Sequence, residues 1–137
     1  MFLEVKNEKE KEMSQIVAEK APPYMPEPKL ITMDDFAKVD LRIGTILEAK
    51  AHPKADRLVV LQVALGKDLG TRQIVAGIRQ HYTPEGLVNK QVVVVANLEP
   101  VGLRGEMSHG MLLAAKDEDG LSLVTPEAIR LAGTKVG

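Results

Sequence analysis

The stretch "ITMDDFAKVDLRIGTILEAKA", residues 31–51, decides the fold. Val39, Leu41, Ile43, Thr45, Leu47 and Ala49 share one phase, and Asp40, Arg42, Glu48 and Lys50 share the other. Period-two alternation over that length is a long β-strand with one wet face. Gly44 lies inside it, where glycine marks a bulge or sharp bend. A long, bent first strand suits a small closed barrel.

The following segments agree. "HPKADR" (52–57) is a loop, "LVVLQVALG" a second strand, "GKDLGT" a turn and "RQIVAGI" a third strand. "YTPEGLVNK" (82–90) is a short helix, with Thr83 as its N-cap and Pro84 in its first turn. "QVVVVANL" (91–98) is almost wholly apolar and is therefore a central strand. "EPVGLRGEMS" is a loop, "GMLLAAKD" a fifth strand, and "DEDG" turns into "LSLVTP". Three strands, a short helix and two strands predict an all-β, five-stranded Greek-key barrel of the OB type with a carboxy-terminal extension. "LSLV" has no place inside five strands, and an unpaired edge predicts a homodimer. In front of the barrel, "APPYMPEP" (21–28) follows a charged, weakly apolar segment. Residues 1–30 are expected to be a linker or amino-terminal tail, and 31–137 the domain.

The chain has 137 residues, enough for one core and too few for two. It has no cysteine, no long apolar run and a charged amino terminus, so thiolate metal sites, a membrane span and a signal peptide are not expected, and the cytoplasm is the expected compartment. The net charge of −1 conceals an asymmetry: residues 36–104 hold ten Lys/Arg against six Asp/Glu. A modest basic face in the middle of the chain follows.

The chemical candidates are weak. "MSHG" pairs Ser108 with His109, but Gly105 is misplaced for a nucleophile elbow and a strand follows instead of a helix. His52, His81 and His109 are scattered, so no metal site and no cofactor are expected. "GLRG" (102–105) has strands on both sides, unlike a KH loop between helices. Aromatic content is 3% with no Trp, which argues against a single-strand binder that stacks its bases. No catalytic residue is expected.

The blocks "DDFAKVDLRIGTI", "HPKADRL", "RQIVAGI", "YTPEGLVNKQVVVVANL" and "LRGEMSHGMLLAA" occur in order. Together they resemble the tRNA-binding domain found at the carboxy terminus of methionyl-tRNA synthetases, in stand-alone bacterial tRNA-binding proteins and in endothelial monocyte-activating polypeptide. The resemblance runs from about Ile31 to Gly137. It implies an OB fold, a homodimer, and binding to the outer corner of folded tRNA with little preference among species. It also implies a catalytic synthetase part as partner, with a stand-alone tRNA-binding or chaperone-like protein-interaction module as the alternative. Family positions carry over to Arg57, Asn97, Ser108 and Met111. Arg42, Lys54, Arg79 and Arg104 are added because strand phase or loop position exposes their charge near that face. The family often has Lys or Arg before the "RG", where this chain has "EPVG". His109 stands where Gln or Glu is common. Fewer cations mean weaker, salt-sensitive binding.

Overall fold

The computed structural model describes residues 29–137. The expected tail at 1–30 falls, but for its last two residues, outside that range. The chain divides into two units, Met1–Thr32 and Met33–Gly137, and the second carries the fold.

It opens with a five-residue helix α1 (Met33–Ala37), and β1 (Leu41–Ala51), β2 (Val59–Ala64), the one-turn α2 (Gly66–Leu69) and β3 (Thr71–Ala76) follow. After α3 (Pro84–Leu87) and β4 (Gln91–Val95) come short strands β5 (Val101–Leu103), β6 (Glu106–Ser108) and β7 (Met111–Leu112). The chain ends through β8 (Ala114–Asp117), β9 (Gly120–Leu123) and β10 (Lys135–Val136). The main sheet runs β3-β2-β1-β4-β7, with β10 beside the start of β1.

β1 makes the barrel by changing partners. Leu41–Thr45 pair with β4, and Thr45–Ala51 pair with β2. At the exchange point stands Gly44, where a Cβ would lie 2.5 Å from Val63 Cγ1 and 3.1 Å from side-chain atoms of Leu65 and Val94. The missing side chain lets the layers close. A bulge follows: Ile46 faces Val63 and Glu48 faces Gln62, so Leu47 has no opposite number. One extra residue reverses every later side chain. Ile46, on the face of Gly44, is fully buried, Leu47 is 47% exposed, and the extra residue brings Ala49 back against the core, whereas unbroken alternation placed Leu47 inside.

The interior gathers Ile46, Leu61, Leu65, Ile74, Leu87, Val92, Val94 and Leu112, each worth about 1.5–3 kcal/mol when fully buried. Leu87 comes from α3, whose N-cap is Thr83: its Oγ1 accepts the Gly86 N–H at 3.1 Å. The apolar strand β4 is central, and Val93 and Val95 are buried on its other face. A carboxy-terminal strap runs along the first half of β1 and extends the sheet. The Ile43 N–H donates to Thr134 O and the Gly133 N–H to Ile43 O, while the Gln91 side chain bonds both backbone groups of Arg130. At the crossing, a Cβ on Gly133 would fall 2.4 Å from Leu65 O, and one on Gly66 2.6 Å from Ala132 O.

Three expectations are corrected. "EPVGLRGEMS" is not a plain loop: it contains the β5–β6 hairpin, turned at Arg104 (φ 54°) and Gly105 (φ 93°). Two positive φ values in a two-residue turn are the type I′ geometry that matches strand twist. "GMLLAAKD" breaks at Leu113, because β8 leaves the sheet to pair with β9. "LSLV" is consequently paired along Gly120–Leu123, and the free-edge argument for a dimer falls.

Candidate nucleic-acid interface

The barrel closes where β3 meets the end of β6. The His109 N–H donates to Gln73 O at 2.8 Å, and the Gln73 side chain donates to Met107 O at 2.9 Å. Ser108 completes the seam. Its Oγ accepts the Val75 N–H at 2.9 Å and donates to Gly110 O at 3.0 Å, and the residue is 4% exposed. The hydroxyl thus bonds backbone and does not bond His109, so no Ser–His pair exists to activate a nucleophile.

Beyond the seam, two loops are joined by a buried histidine. His52 is 3% exposed; its Nδ1 accepts the Lys54 N–H at 2.9 Å, which leaves the ring proton on Nε2, 2.9 Å from Leu103 O. A second bond runs the other way, from the Arg104 guanidinium to Lys54 O at 3.2 Å. Arg104 sits in the left-handed region, a conformation that costs a non-glycine residue about 1–2 kcal/mol. That strain aims its side chain at the β1–β2 loop. The Arg79 N–H donates to Arg57 O at 3.3 Å, tying the segment after β3 to the same loop.

Lys54, Arg57, Arg79 and Arg104 are thereby collected at one end of the barrel. All four are exposed, and among the described residues none of them forms a salt bridge. No ion pair among the described residues competes with an incoming anion for these cations, although water and salt screen them.

Arg42 lies elsewhere. Its Nε is 2.7 Å from Asp40 Oδ1, NH1 donates to Gly133 O at 3.1 Å, and its side chain is 25% exposed. The Asp40 carboxyl is held below its ordinary value of 3.8, first by the hydrogen bond from Arg42, then by the charges of Arg42, Lys135 and Arg72, against an opposing effect of burial. The strand phase that marked Arg42 as exposed ignored the strap that covers it. Asn97 is exposed but engaged: its Oδ1 accepts the Asp40 N–H at 2.9 Å and its Nδ2 donates to Lys38 O at 2.6 Å. Met111 is 47% exposed at the start of β7.

Sequence reasoning missed His52, which carries no chemistry and acts only by joining the loops. It also missed Arg72, whose guanidinium bonds Ala96 O at the end of β4. "R-Q-I-V-A" gives no sign that the first residue turns across the sheet. Among the described residues no group of three His, Cys, Asp or Glu could hold a metal, and no helix is long and apolar enough to cross a membrane.

An OB-type barrel built on the path β3-β2-β1-β4-β7, with β10 as a sixth strand and a cationic loop end, defines the class of small oligonucleotide-binding barrels. Residues 41–135 match the family described as "Putative tRNA binding domain", and the chain belongs to that family. It is 53% identical over 110 residues to a methionine–tRNA ligase of Thermotoga maritima and 49% identical over 110 residues to that of Pyrococcus horikoshii. Each match covers 80% of this chain but only 17% and 15% of those enzymes, and what is shared is the non-catalytic tRNA-binding module. Among solved structures, a MetRS-related protein of Pyrococcus horikoshii superposes with a TM-score of 0.74 at 32% identity, covering 80% of this chain and all of that one. The CsaA chaperone protein of Picrophilus torridus gives 0.73 at 30%, covering 79% and all of its chain.

Proposed function

We propose that the cationic loop end docks the backbone of folded tRNA and serves the catalytic part of a methionyl-tRNA synthetase. The supporting observation is the joining of two loops by His52 and Arg104, which presents Lys54, Arg57, Arg79 and Arg104 without carboxylate partners. Phosphate contacts of this kind position an RNA without reading its sequence. Met111 adds an exposed apolar edge. Ser108 contributes by holding the seam, while Asn97 fixes the backbone just before β1 and Arg42 ties β1 to the strap. The domain acts in the cytoplasm, as a homodimer. Exposed Met33, Phe36 and Val39 ahead of β1, and Ile129 and Leu131 ahead of β10, are the apolar side chains offered to a second copy. Light scattering at tens of micromolar is expected to give twice the chain mass.

The direct test is titration of unfractionated tRNA at two salt concentrations, with unstructured RNA as control. Weak binding that prefers folded tRNA and falls with salt is expected; equal binding of both RNAs sinks the reading. The likeness to CsaA favours one alternative, a chaperone-like protein-interaction module. An unfolded protein that displaces tRNA stoichiometrically would support it.

A further inference from the structure

Beside the seam lies a cleft of about 730 Å³, in the range of roughly 300–1,000 Å³ typical of small-molecule sites. Its walls come from Thr71 and Arg72 at the start of β3, from Leu98, Glu99 and Pro100 beyond β4, and from His109. Arg72 uses one N–H on Ala96 O and has no carboxylate partner among the described residues, which leaves donors of its guanidinium available. The His109 backbone is fixed by Gln73, but its ring has no hydrogen-bond partner among the described residues. Glu99 is exposed and free of any ion pair among them.

The cleft therefore offers donors, a carboxylate acceptor, one flat ring and two apolar side chains. A phosphate would meet the negative charge of Glu99. A nucleobase matches instead: its edge carries both donors and acceptors, and its faces are apolar and stack on rings. Only one ring lines the cleft, so it suits one base and no run of bases. Leu98 and Glu99 also line an adjoining hollow of about 210 Å³ with Val101, Leu103 and Met111. That hollow leads to Leu103, whose carbonyl meets His52, and so to Arg104. Glu99 and Arg104 are five residues apart, at most ~18 Å along an extended chain.

We propose that this cleft receives a single unpaired base of the tRNA, stacked on His109 and hydrogen-bonded by Arg72 and Glu99, while the cationic loops hold the neighbouring backbone. The proposal rests on the tRNA-binding reading above and adds to it a base-recognition site.

Salt separates the two kinds of contact. Each lost phosphate contact lowers the slope of log K against log salt by about 0.7–0.9, and a lost base contact leaves it unchanged. Fluorescence anisotropy on the full chain with folded tRNA is expected to show His109→Ala weakening binding about five- to tenfold, as loss of one stacked base does, at unchanged slope. His109→Phe keeps a ring and is expected to retain most of the affinity, and Glu99→Gln to weaken it modestly. Arg104→Ala is expected to reduce the slope. The proposal is overturned if His109→Ala and Glu99→Gln bind like the parent, if His109→Ala reduces the slope as Arg104→Ala does, or if His109→Ala impairs capture of an unfolded polypeptide while tRNA binding stays intact. If Arg57→Ala and Arg104→Ala also bind tRNA like the parent protein, the tRNA reading itself fails.

Discussion

Arg42 and Arg104 are the same residue type in the same barrel, and their surroundings give them opposite uses. Arg42 begins β1, under the strap, where Asp40 and Gly133 O take up its N–H groups. Arg104 tops the β5–β6 hairpin, with one backbone acceptor and otherwise open surroundings. The first is a fastener and the second a free charge. The contrast extends to whole regions: beside the strap the cation is ion-paired, and at the loop end Lys54, Arg57, Arg79 and Arg104 stand exposed without ion pairs among the described residues. Availability, more than charge count, makes a binding surface.

The largest effect is expected at the seam. Ser108→Ala removes the acceptor of the Val75 N–H inside the barrel wall, and a buried donor left unsatisfied costs about 1–3 kcal/mol. Chemical denaturation should show that loss, and any loss of tRNA binding should return at temperatures where the variant is fully folded. Weaker binding by a fully folded Ser108→Ala protein would place its hydroxyl on the RNA.

Next, the double variant Arg57→Ala/Arg104→Ala is expected to lose tRNA affinity at low salt across all tRNA species, with the salt slope reduced by roughly 1.5. A preference that shifts among tRNAs would contradict the assignment of these side chains to phosphate.

Arg42→Ala supplies the counterpart. It is expected to lower the melting temperature and loosen the strap while leaving the salt slope intact. An unchanged melting temperature with a reduced slope would merge the two arginines into one class and erase the comparison.

The smallest effect is a pH dependence. The carboxyl of Asp40 has its folded value depressed, so its stabilising contribution is present at neutral pH and is lost as pH falls below about 3.8 toward that depressed value. Melting curves of the parent and Asp40→Asn proteins should converge in acid and separate above it. A gap that persists at low pH would assign the effect of Asp40 to something other than its charge.

Much of the barrel was legible in local pattern. The alternation of β1, the cap at Thr83 and the run "QVVVV" each reported a backbone state that nearest neighbours dictate. Leu47 was not legible, because a bulge is set by the partner strand and leaves no mark on hydrophobic order. The hairpin inside "EPVGLRGEMS" did leave one: "R-G" between short extended segments fits a type I′ turn, with glycine second. For the proposed interface, loop position singled out Lys54, Arg79 and Arg104, and Arg57 came with the family resemblance. What joins them could not be read, since His52 and Leu103 meet across 51 residues of chain. Arg42 was misplaced for a related reason: the strap that covers it arrives 91 residues later.

The crossing of Gly66 and Gly133 has a further consequence, for the order in which the molecule assembles. Two backbones touch there with no side chain between them, across a closed loop of 67 residues. Ring closure over that length is entropically costly, and contacts so distant in sequence reward the chain only after nearer ones have formed. The strap is therefore expected to settle last, onto a barrel already built from β1 to β4. In refolding experiments, protection of the Ile43 and Gly133 amides should lag behind that of the β2–β3 ladder. A nascent chain whose residues 128–137 are still in the ribosome exit tunnel would have the sheet without its fastener.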